Sequence, residues 1–472
     1  MTPVHDELHD TFRNELASVA SDGRRRWVYA RQPSGRLYRA RTVVGVVLLM
    51  FLLLAPFIRV GNQPLMMLNV LERRFVLLGV FFPPQDLSLV VLLALVTLVT
   101  VMLATVLFGR VWCGWLCPQT VFMEMVFRRI EYGLAGSAQQ QLRRSRGPWS
   151  AERLRIAAIK HAVFVAVSFV IANVFLAWVI GADAVKDLIV DTPARHPAGF
   201  AAMVFFTSVF YLVFARFREQ ACVLACPYGR MLSSLVDRRT VTVMYDAPRG
   251  EPRGRLKLLA GSGTTGDCVD CHRCVTVCPT GIDIRNGIQL ECVSCTACID
   301  ECGDVMQRLG RPAGLIRHTS ADVVNGAPPH WFTPRVAGYA VVWLTLIMAS
   351  ARLLWMRPDL DVLVLRQPGT LYVKLTGGEV ANLYSIQALN RTARPAQYAI
   401  DILQPRGAVV TQLGELGPVD PYTVRDARFM IRAPGNSLAG PSTPVRLRVR
   451  PERGPALIVE TSFLSPPGGG ED

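Results

Sequence analysis

Hydrophobic residues are concentrated in five uncharged stretches of this chain, which are separated by arginine-rich segments. A helix that crosses a bilayer needs about 20 apolar residues, with a range of roughly 17–25. Each stretch therefore predicts a membrane-spanning helix, although the first and the last are short and each is followed by an arginine, whose long side chain can reach the membrane surface. The predicted spans cover residues 42–58, 87–108, 161–182, 197–215 and 336–351.

Two further apolar segments do not read as spans. Residues 65–82 carry Glu72, Arg73 and Arg74 at their centre, and three charges there make a membrane crossing costly. We predict an interfacial or re-entrant segment. Residues 119–129 alternate apolar and polar positions with helical spacing, which predicts an amphipathic helix lying at the membrane interface.

The pattern changes to period two in the last part of the chain. Short alternating stretches at residues 371–375, 445–450 and 457–460 are separated by Pro and Gly. Period two with frequent turns over about 100 residues predicts an antiparallel β-sandwich of the immunoglobulin type. The Pro- and Gly-rich end at residues 465–470 is expected to be disordered.

Composition and charge support a membrane protein. The chain has 472 residues, of which 51% are hydrophobic, a net charge of +15 and a pI near 9.6. The arginines cluster beside the predicted spans, which favours contact with anionic membrane lipid over nucleic acid. Their distribution places the N-terminus in the cytoplasm and, after five crossings, the C-terminus outside. The first apolar stretch begins too far into the chain to require a cleavable signal peptide.

All twelve cysteines lie between Cys113 and Cys302, and eight of them form two runs of identical spacing. Three cysteines are separated by two residues each, and a fourth follows after three more. This spacing wraps [4Fe–4S] clusters, and Pro279 after the first run argues further against zinc sites or disulfides. The fourth cysteine of each run binds the other cluster. The predicted ligand sets are Cys268, Cys271, Cys274 and Cys302 for one cluster and Cys278, Cys292, Cys295 and Cys298 for the other.

The other four cysteines form two CxxxCP motifs, each directly after a predicted span. Cysteines four residues apart lie on one face of a helix. Each pair could hold one soft ion, or the two pairs could converge into a four-thiolate site, and sulfur ligands favour Cu(I) over Cu(II). The alternative is inert buried cysteines, which the repetition of the motif disfavours. The pairs are Cys113 with Cys117 and Cys222 with Cys226, and the nearby candidate thioether ligands are Met123, Met125 and Met231.

These features divide the chain into five predicted regions. They are a mobile cytoplasmic tail (1–41), a membrane region with four spans and the CxxxCP motifs (42–215), a cytoplasmic domain with two [4Fe–4S] clusters (216–333), a fifth span (334–356) and a periplasmic sandwich (357–472).

The chain resembles the FixG/CcoG family of cytochrome oxidase accessory proteins. The resemblance is carried by WCGWLCPQTVFMEMVFRRIE, EQACVLACPYGRMLSSLVD, the paired cysteine runs, FFPPQD, and the triplets that begin at Asn382 and Asn390. It runs from about residue 37 to about residue 458. It implies a membrane α-helical fold with five spans, a cytoplasmic dicluster ferredoxin-like α+β domain and a C-terminal all-β immunoglobulin-like sandwich. The second run departs from the first because Gly303, not proline, follows Cys302.

The resemblance also implies a role in the bacterial inner membrane, in maturing a cbb-type haem–copper oxidase by reducing Cu(II) to Cu(I). Copper would then be a substrate or transient ligand of the four CxxxCP cysteines, which would be catalytic. Copper chaperones or oxidase assembly factors would receive Cu(I), and an unidentified donor would supply electrons. Two other hypotheses stay open: an electron-transfer subunit of a quinol-linked respiratory complex, and a non-catalytic assembly scaffold.

Overall fold

The computed structural model describes residues 17–19, 22, 24–60, 63–254, 266–369, 371–376, 378–413, 417–438 and 440–466. Residues 1–16 of the predicted tail and residues 467–470 of the predicted disordered end lie outside this description. The chain divides into two compact units. The first comprises Met1–Ile58, Met66–Glu72 and Val90–Ser350, and the second comprises Arg59–Leu65, Arg73–Leu89 and Ala351–Asp472.

Within the described residues, five helices are long and apolar enough to cross a membrane. The third begins ten residues before the uncharged stretch that predicted it, because Ser150 caps a polar first turn by accepting a hydrogen bond from the backbone N–H of Arg153. A search for apolar stretches misses this first turn, because its residues are polar. The five helices are Arg36–Leu54, Pro84–Phe108, Ala151–Ile180, Pro197–Phe217 and Pro334–Trp355.

The helices of the described residues are α1 (Arg36–Leu54), α2 (Leu87–Phe108), α3 (Pro118–Phe122), α4 (Arg128–Ala135), α5 (Ala138–Arg146), α6 (Ala151–Ile180), α7 (Ala182–Val190), α8 (Pro197–Leu212), α9 (Pro227–Leu235), α10 (Ala247–Gly250), α11 (Arg273–Thr276), α12 (Ala297–Arg308), α13 (Ala321–Val324) and α14 (Pro334–Trp355). Four π-helical turns interrupt or extend them: Trp112–Leu116, Met123–Phe127, Val213–Phe217 and Ala221–Ala225.

Residues 119–129, which were predicted to form an amphipathic helix at the membrane interface, pack their apolar face against two of the spans. Its π-helical turn Met123–Phe127 joins α3 to α4. Phe127 is fully buried, with its ring stacked on Phe214 at a centroid distance of 4.4 Å and edge-on to Phe164 at 4.9 Å. Aromatic side chains of the same unit therefore cover the apolar face of this segment.

Residues 65–82, which were predicted to form an interfacial or re-entrant segment, contain three short β-strands. Their strands are β3 (Met66–Asn69), β4 (Arg74–Leu77) and β5 (Val80–Phe82). Strands β4 and β5 pair antiparallel across Leu78 and Gly79, which both have positive φ, as a tight two-residue hairpin turn requires. The short strands β1 (Arg59–Val60) and β2 (Gln63–Pro64) pair before them.

The cysteine runs lie in a small domain of the first unit. Strand β6 (Thr242–Tyr245) pairs antiparallel with β7 (Ile316–Thr319), and α11 and α12 each begin inside one cysteine run. Buried Val243, Ile282 and Met306 pack with the cysteines into one core. The thiols therefore take the place of part of a hydrophobic core, as expected for a small cluster-binding fold.

The described part of the N-terminal tail is packed against the first unit, whereas the sequence predicted a mobile segment. The backbone N–H of Arg31 donates to the carbonyl of Thr276 at 2.8 Å, and the Tyr132 hydroxyl donates to the carbonyl of Ala30 at 3.0 Å. Arg25 pairs with buried Glu219 at 3.0 Å. These contacts hold the chain before α1 beside the cysteine runs.

The second unit is a two-sheet sandwich, as predicted. Val445, Leu447 and Val449 point into its core and are fully buried, while the residues between them are exposed. The predicted strand at 371–375 is reduced to Val373–Lys374. One sheet has the order β12-β13-β10-β8, with β9 beside β10, and the other has the order β11-β14-β15. The strands are β8 (Leu360–Arg366), β9 (Val373–Lys374), β10 (Glu379–Asn390), β11 (Tyr398–Gln404), β12 (Val409–Leu413), β13 (Val424–Pro434), β14 (Ser442–Pro451) and β15 (Leu457–Leu464).

Candidate metal centres

The two cysteine runs share one backbone conformation. In each run the residues on either side of the second cysteine have left-handed φ angles: 49° at Asp270 and 54° at His272, and 53° at Ser294 and 68° at Thr296. Non-glycine residues avoid this region, which costs roughly 1–2 kcal/mol per residue. Four such residues at equivalent positions indicate that both loops have the same bend. We infer that this bend turns the three thiols of each loop toward one centre.

The thiols fall into two groups by their electrostatic neighbours. Burial raises the pKa of Cys302 to about 12, and the nearest thiols that add to this effect are Cys268 and Cys271. Burial also raises the pKa of Cys292 to about 12, with Cys295 and Cys278 adding to it. The fourth cysteine of each run thus lies with the other run, in the arrangement of the predicted ligand sets. The ligand assignment itself stays a prediction.

The donor set and its surroundings fit iron–sulfur clusters. A narrow pocket is lined by Cys274 and by all four cysteines of the second predicted set. Its other walls include Val243, Ile282 and Ile284, which keep the space apolar. An apolar wall around thiolate ligands is one of the means by which a protein sets a cluster's reduction potential.

Arg285 holds the first cysteine loop. Its guanidinium donates to Asp270 and to Asp283, and lies 3.0 Å from Nδ1 of His272. Burial of Asp283 would raise its pKa, but the hydrogen bonds from Arg285 outweigh burial and the net pKa is lowered. One arginine therefore ties together both left-handed residues of the loop. His272 also lies beside the site, with Asp270 Oδ1 3.3 Å from its Nε2.

The two CxxxCP motifs are also built alike. Each begins with a π-helical turn closed by the N–H of the second cysteine, from Cys117 to the Trp112 carbonyl and from Cys226 to the Ala221 carbonyl, both at 2.9 Å. The second cysteine is extended and caps the next helix, whose first residue is the proline. The spacing predicted that each pair lies on one continuous helix, and this prediction is wrong. The helix breaks at the second cysteine, because a residue before proline avoids the α conformation.

Helix N-termini face the sulfur atoms of the second cysteines. The Gly229 N–H donates to Cys226 Sγ at 3.4 Å. The pKa of Cys117 is raised by burial, and the backbone N–H groups of Thr120 and Gln119 oppose that rise. Donors at a helix start stabilise a thiolate. Each motif therefore directs backbone N–H donors at a sulfur that would bind metal as a thiolate.

The four CxxxCP thiols are neighbours in space. Burial raises the pKa of Cys222 to about 12, and Cys117, Cys113 and Cys226 raise it further, while the Thr120 hydroxyl hydrogen-bonds to it and lowers it. In the described part of the chain, no three His, Cys, Asp or Glu side chains are gathered closely enough for a single ion. A mononuclear four-thiolate site is thus not preformed. Met123 and Met125 are buried nearby, and Met231 is exposed.

The first CxxxCP motif lies directly against the second cysteine run. A Cβ at Gly114 would overlap the carbonyl oxygen of Val293 and lie 3.2 Å from the backbone nitrogen of Cys295. The Trp115 indole donates to the Ser294 carbonyl at 3.2 Å. Cys113 packs in one hydrophobic cluster with Cys295 and Cys298. The structure therefore brings the two kinds of cysteine site together.

Sequence reasoning missed Arg41, which it had counted among the basic residues at the membrane surface. Arg41 is 2% exposed, and its Nε donates to the Gly114 carbonyl at 2.8 Å. Its charge lowers the pKa of Cys295, although burial of that thiol outweighs the effect and raises the pKa to about 11. Thr120 and Gly114 were also missed. Only their place within or after the CxxxCP motif could have indicated them.

The comparisons with known proteins agree with this site. Residues 217–321 match the 4Fe-4S dicluster domain, residues 90–134 match a 4Fe-4S binding domain, and residues 351–466 match the IG-like fold at the C-terminus of FixG, described as a putative oxidoreductase. The segment 90–134 contains Cys113 and Cys117, so one CxxxCP motif falls inside an iron–sulfur domain description.

Relatives of known name cover most of the chain. Protein RdxA of Cereibacter sphaeroides is 31% identical over 92% of this chain and 97% of its own length. Nitrogen fixation protein FixG of Rhizobium meliloti is 31% identical over 78% of this chain and 77% of its own length. A crystal structure of a FixG-related protein from Vibrio parahaemolyticus is 20% identical over 23% of this chain and 97% of that chain, with a TM-score of 0.19.

The repeated cluster-binding loops, the five apolar helices of the described residues and the similarity to RdxA and FixG over most of the chain lead to one conclusion. The chain belongs to the FixG family and is a membrane-bound iron–sulfur electron-transfer protein.

Proposed function

We propose that this protein reduces Cu(II) to Cu(I) for the assembly of a cbb-type haem–copper oxidase. Cys113, Cys117, Cys222 and Cys226 would hold the copper ion while it accepts one electron. The observation that carries the proposal is the contact between Gly114 and the loop of Val293 and Cys295, which brings the first CxxxCP motif beside a predicted cluster-binding loop.

The chemistry of the thiols supports this role. When bound, the [4Fe–4S] clusters supply one-electron transfer. Thiolates bind Cu(I) better than Cu(II), so a thiolate site makes the bound ion easier to reduce. The raised pKa of Cys222 means that copper must displace a proton there, and the Thr120 hydroxyl favours that loss. Gly229 allows the second motif to fold tightly, because a Cβ there would lie 2.6 Å from the Cys222 carbonyl oxygen.

We place the protein in the bacterial inner membrane with the N-terminus and the cluster domain in the cytoplasm and the C-terminal sandwich in the periplasm. The arginine distribution supports this orientation. A reducing compartment would keep all twelve cysteines available for metal. Copper chaperones or oxidase assembly factors would then receive Cu(I), and anionic lipid would meet the exposed arginines beside the spans.

The test is an anaerobic single-turnover assay on the purified full chain. The clusters are reduced with dithionite, excess reductant is removed, and Cu(II) is added while cluster absorbance and chelated Cu(I) are followed together. Variants with serine at Cys113 and Cys117, at Cys222 and Cys226, or at all four are compared. Iron, sulfide and copper are counted for each, because residues 90–134 match a 4Fe-4S binding domain.

The proposal expects one Cu(I) for each electron stored, and a loss of Cu(I) formation in the four-serine variant that keeps its full iron and sulfide. Unchanged Cu(I) formation in that variant would refute the copper site, because reduced clusters can reduce Cu(II) without one. Loss of iron and sulfide would assign these thiols to a further cluster. No Cu(I) from the wild type would favour a respiratory electron-transfer subunit or a non-catalytic scaffold.

A further inference from the structure

The first unit contains an apolar cavity of about 400 Å³ between the spans. This volume is within the usual range for small-molecule sites, roughly 300–1,000 Å³. Aromatic side chains supply much of its wall, from α3, α6 and α8 and the π-helical turn after α8. They are Phe122, Phe175, Trp178, Phe210 and Phe214.

Gln119 gives this cavity a polar end. Its side-chain Nε2 is buried and, among the described residues, has no hydrogen-bond partner. The Trp178 indole, the other polar group in the wall, already donates to the Leu52 carbonyl at 2.8 Å. A buried donor without a partner is costly. The cavity therefore fits a ligand with an apolar body and an oxygen that accepts a hydrogen bond from Gln119.

We propose that this cavity binds an isoprenoid hydroquinone, which is the electron donor for the copper reduction proposed above. Its ring would stack among the aromatic side chains, with one ring oxygen at Gln119 and its tail toward the lipid. A lipid acyl chain is the competing occupant, but it has no oxygen to accept from Gln119 at that depth.

The cavity ends where the thiol site begins. The backbone N–H of Gln119 is directed at the sulfur of Cys117, while its side chain lines the cavity. Gln119 also lines a second cleft, together with Cys222 and with Thr280 of the first cysteine loop's end. One residue thus separates the apolar cavity from both the copper-binding thiols and the cluster domain.

The reaction balances with copper as the oxidant. One hydroquinone is oxidised to the quinone and gives up two electrons and two protons, and two Cu(II) ions become two Cu(I). The two protons are released to water, and two carboxylates line the second cleft. They are Glu124, which pairs with Arg128 at 3.0 Å, and Glu219, whose Oε2 is buried and accepts no hydrogen bond from the described residues.

The test compares two tryptophan substitutions on the same helix. Val174 lines the cavity, and Val174→Trp fills it. Val170 lies one turn away and is 54% exposed, so Val170→Trp is the matched control. The full-length proteins are incubated in detergent with decylubiquinone, separated from the excess, and extracted. We expect about one quinone per chain in the wild type and in Val170→Trp, and at least a tenfold loss in Val174→Trp.

A second variant keeps the test decisive if Val174→Trp fails to fold, which its iron content would reveal. Gln119→Leu removes only the polar end and should weaken decylubiquinone binding about five- to tenfold. Equal retention of quinone by all four proteins, or retention of phospholipid alone, would overturn the site.

Failure of this inference is distinguishable from failure of the copper proposal. Dithionite-driven Cu(I) formation without bound quinone would leave the copper reductase standing and remove the hydroquinone. Bound quinone that decylubiquinol does not convert at one per two Cu(I), above the rate without protein, would overturn the donor role. Bound quinone with no Cu(I) under either reductant would refute copper reduction, and with it the role of hydroquinone as its donor.

Discussion

Gly114 and Val293 are in backbone contact, with no room for a side chain between the first CxxxCP motif and the second cysteine run. The Arg41 guanidinium donates to the Gly114 carbonyl, and the Trp115 indole donates to the Ser294 carbonyl. The first CxxxCP motif and the second cysteine run therefore meet through one glycine and one indole hydrogen bond. A small change at Gly114 tests whether this contact carries electrons.

Gly114→Ala should push the two backbones apart and slow Cu(II)-dependent oxidation of the clusters at least about tenfold, because a shift of about 1 Å can cost that much or more. Stopped-flow absorbance on the reduced protein measures this rate. Gly133→Ala is the matched control, since a Cβ at that helical glycine meets no atom within 4 Å. A wild-type rate in Gly114→Ala would show that the contact does not matter for transfer.

Thr120 should control the ionisation of Cys222. Its hydroxyl hydrogen-bonds to that sulfur and lowers its pKa, which burial nevertheless raises to about 12. Thr120→Val removes the bond, so the pKa of Cys222 rises further and the thiolate fraction at pH 9–10 falls. We expect alkylation of Cys222, followed by mass spectrometry, to slow about three- to tenfold. Thr120→Ser should restore the rate, and equal rates in all three proteins would exclude the hydroxyl.

Arg285 should be required for the first cluster-binding loop only. Arg285→Gln frees the left-handed residues Asp270 and His272, and the loop then relaxes away from its strained shape. Purified protein should hold about four iron atoms per chain instead of about eight, as counted by iron and sulfide analysis. Arg308→Gln is the control, because that side chain is 68% exposed. Full iron content in Arg285→Gln would contradict the prediction.

The hydrogen bonds from Arg285 to Asp283 should also make the stability of the same domain sensitive to acid. The folded-state pKa of Asp283 lies below its ordinary value, so its ionised form stabilises the fold above pH ~4. This contribution is lost as the pH falls through the lowered pKa. Between about pH 5 and 3, unfolding of the wild type should therefore depend more steeply on pH than that of Asp283→Asn. Parallel curves by circular dichroism would exclude this contribution.

In the second unit, the ion pairs of buried Arg391 should contribute more to the free energy of unfolding than an exposed ion pair does. It donates to Asp86 and to Asp361, both at 2.9 Å, and is 5% exposed. Removing one partner of a buried pair costs about 3–5 kcal/mol, so Arg391→Met should lower the unfolding free energy of this unit by about 3 kcal/mol in pulse proteolysis. Arg446→Met breaks the exposed pair with Glu460 and should cost at most about 1 kcal/mol. Equal losses would contradict the assignment.

The contact between Arg391 and Asp86 also explains why two of the family motifs occur together. The sequence presented FFPPQD and the triplet beginning at Asn390 as separate motifs about 300 residues apart, and the fold makes them one ion-pair network. Asn382 was similarly unexplained. Its side chain donates to the Leu464 carbonyl at 2.7 Å and accepts from the Leu464 N–H at 3.1 Å, which links the two sheets of the sandwich.

The sequence by itself determined the features that depend on local spacing. The length of the apolar stretches predicted the five spans, the period-two pattern predicted the sandwich, and the cysteine spacing predicted both cluster-binding loops. Each of these patterns depends only on residues that are close together in the chain. Tertiary structure alone decided the long-range contacts. The sequence places Arg41 among surface cations, whereas the fold buries it against Gly114. The sequence also could not show that Phe164 and Phe214 cover the apolar side chains of residues 119–129. The position of Gln119 at the end of an apolar cavity was likewise visible only in the fold, because that cavity is formed by helices that are distant in the chain.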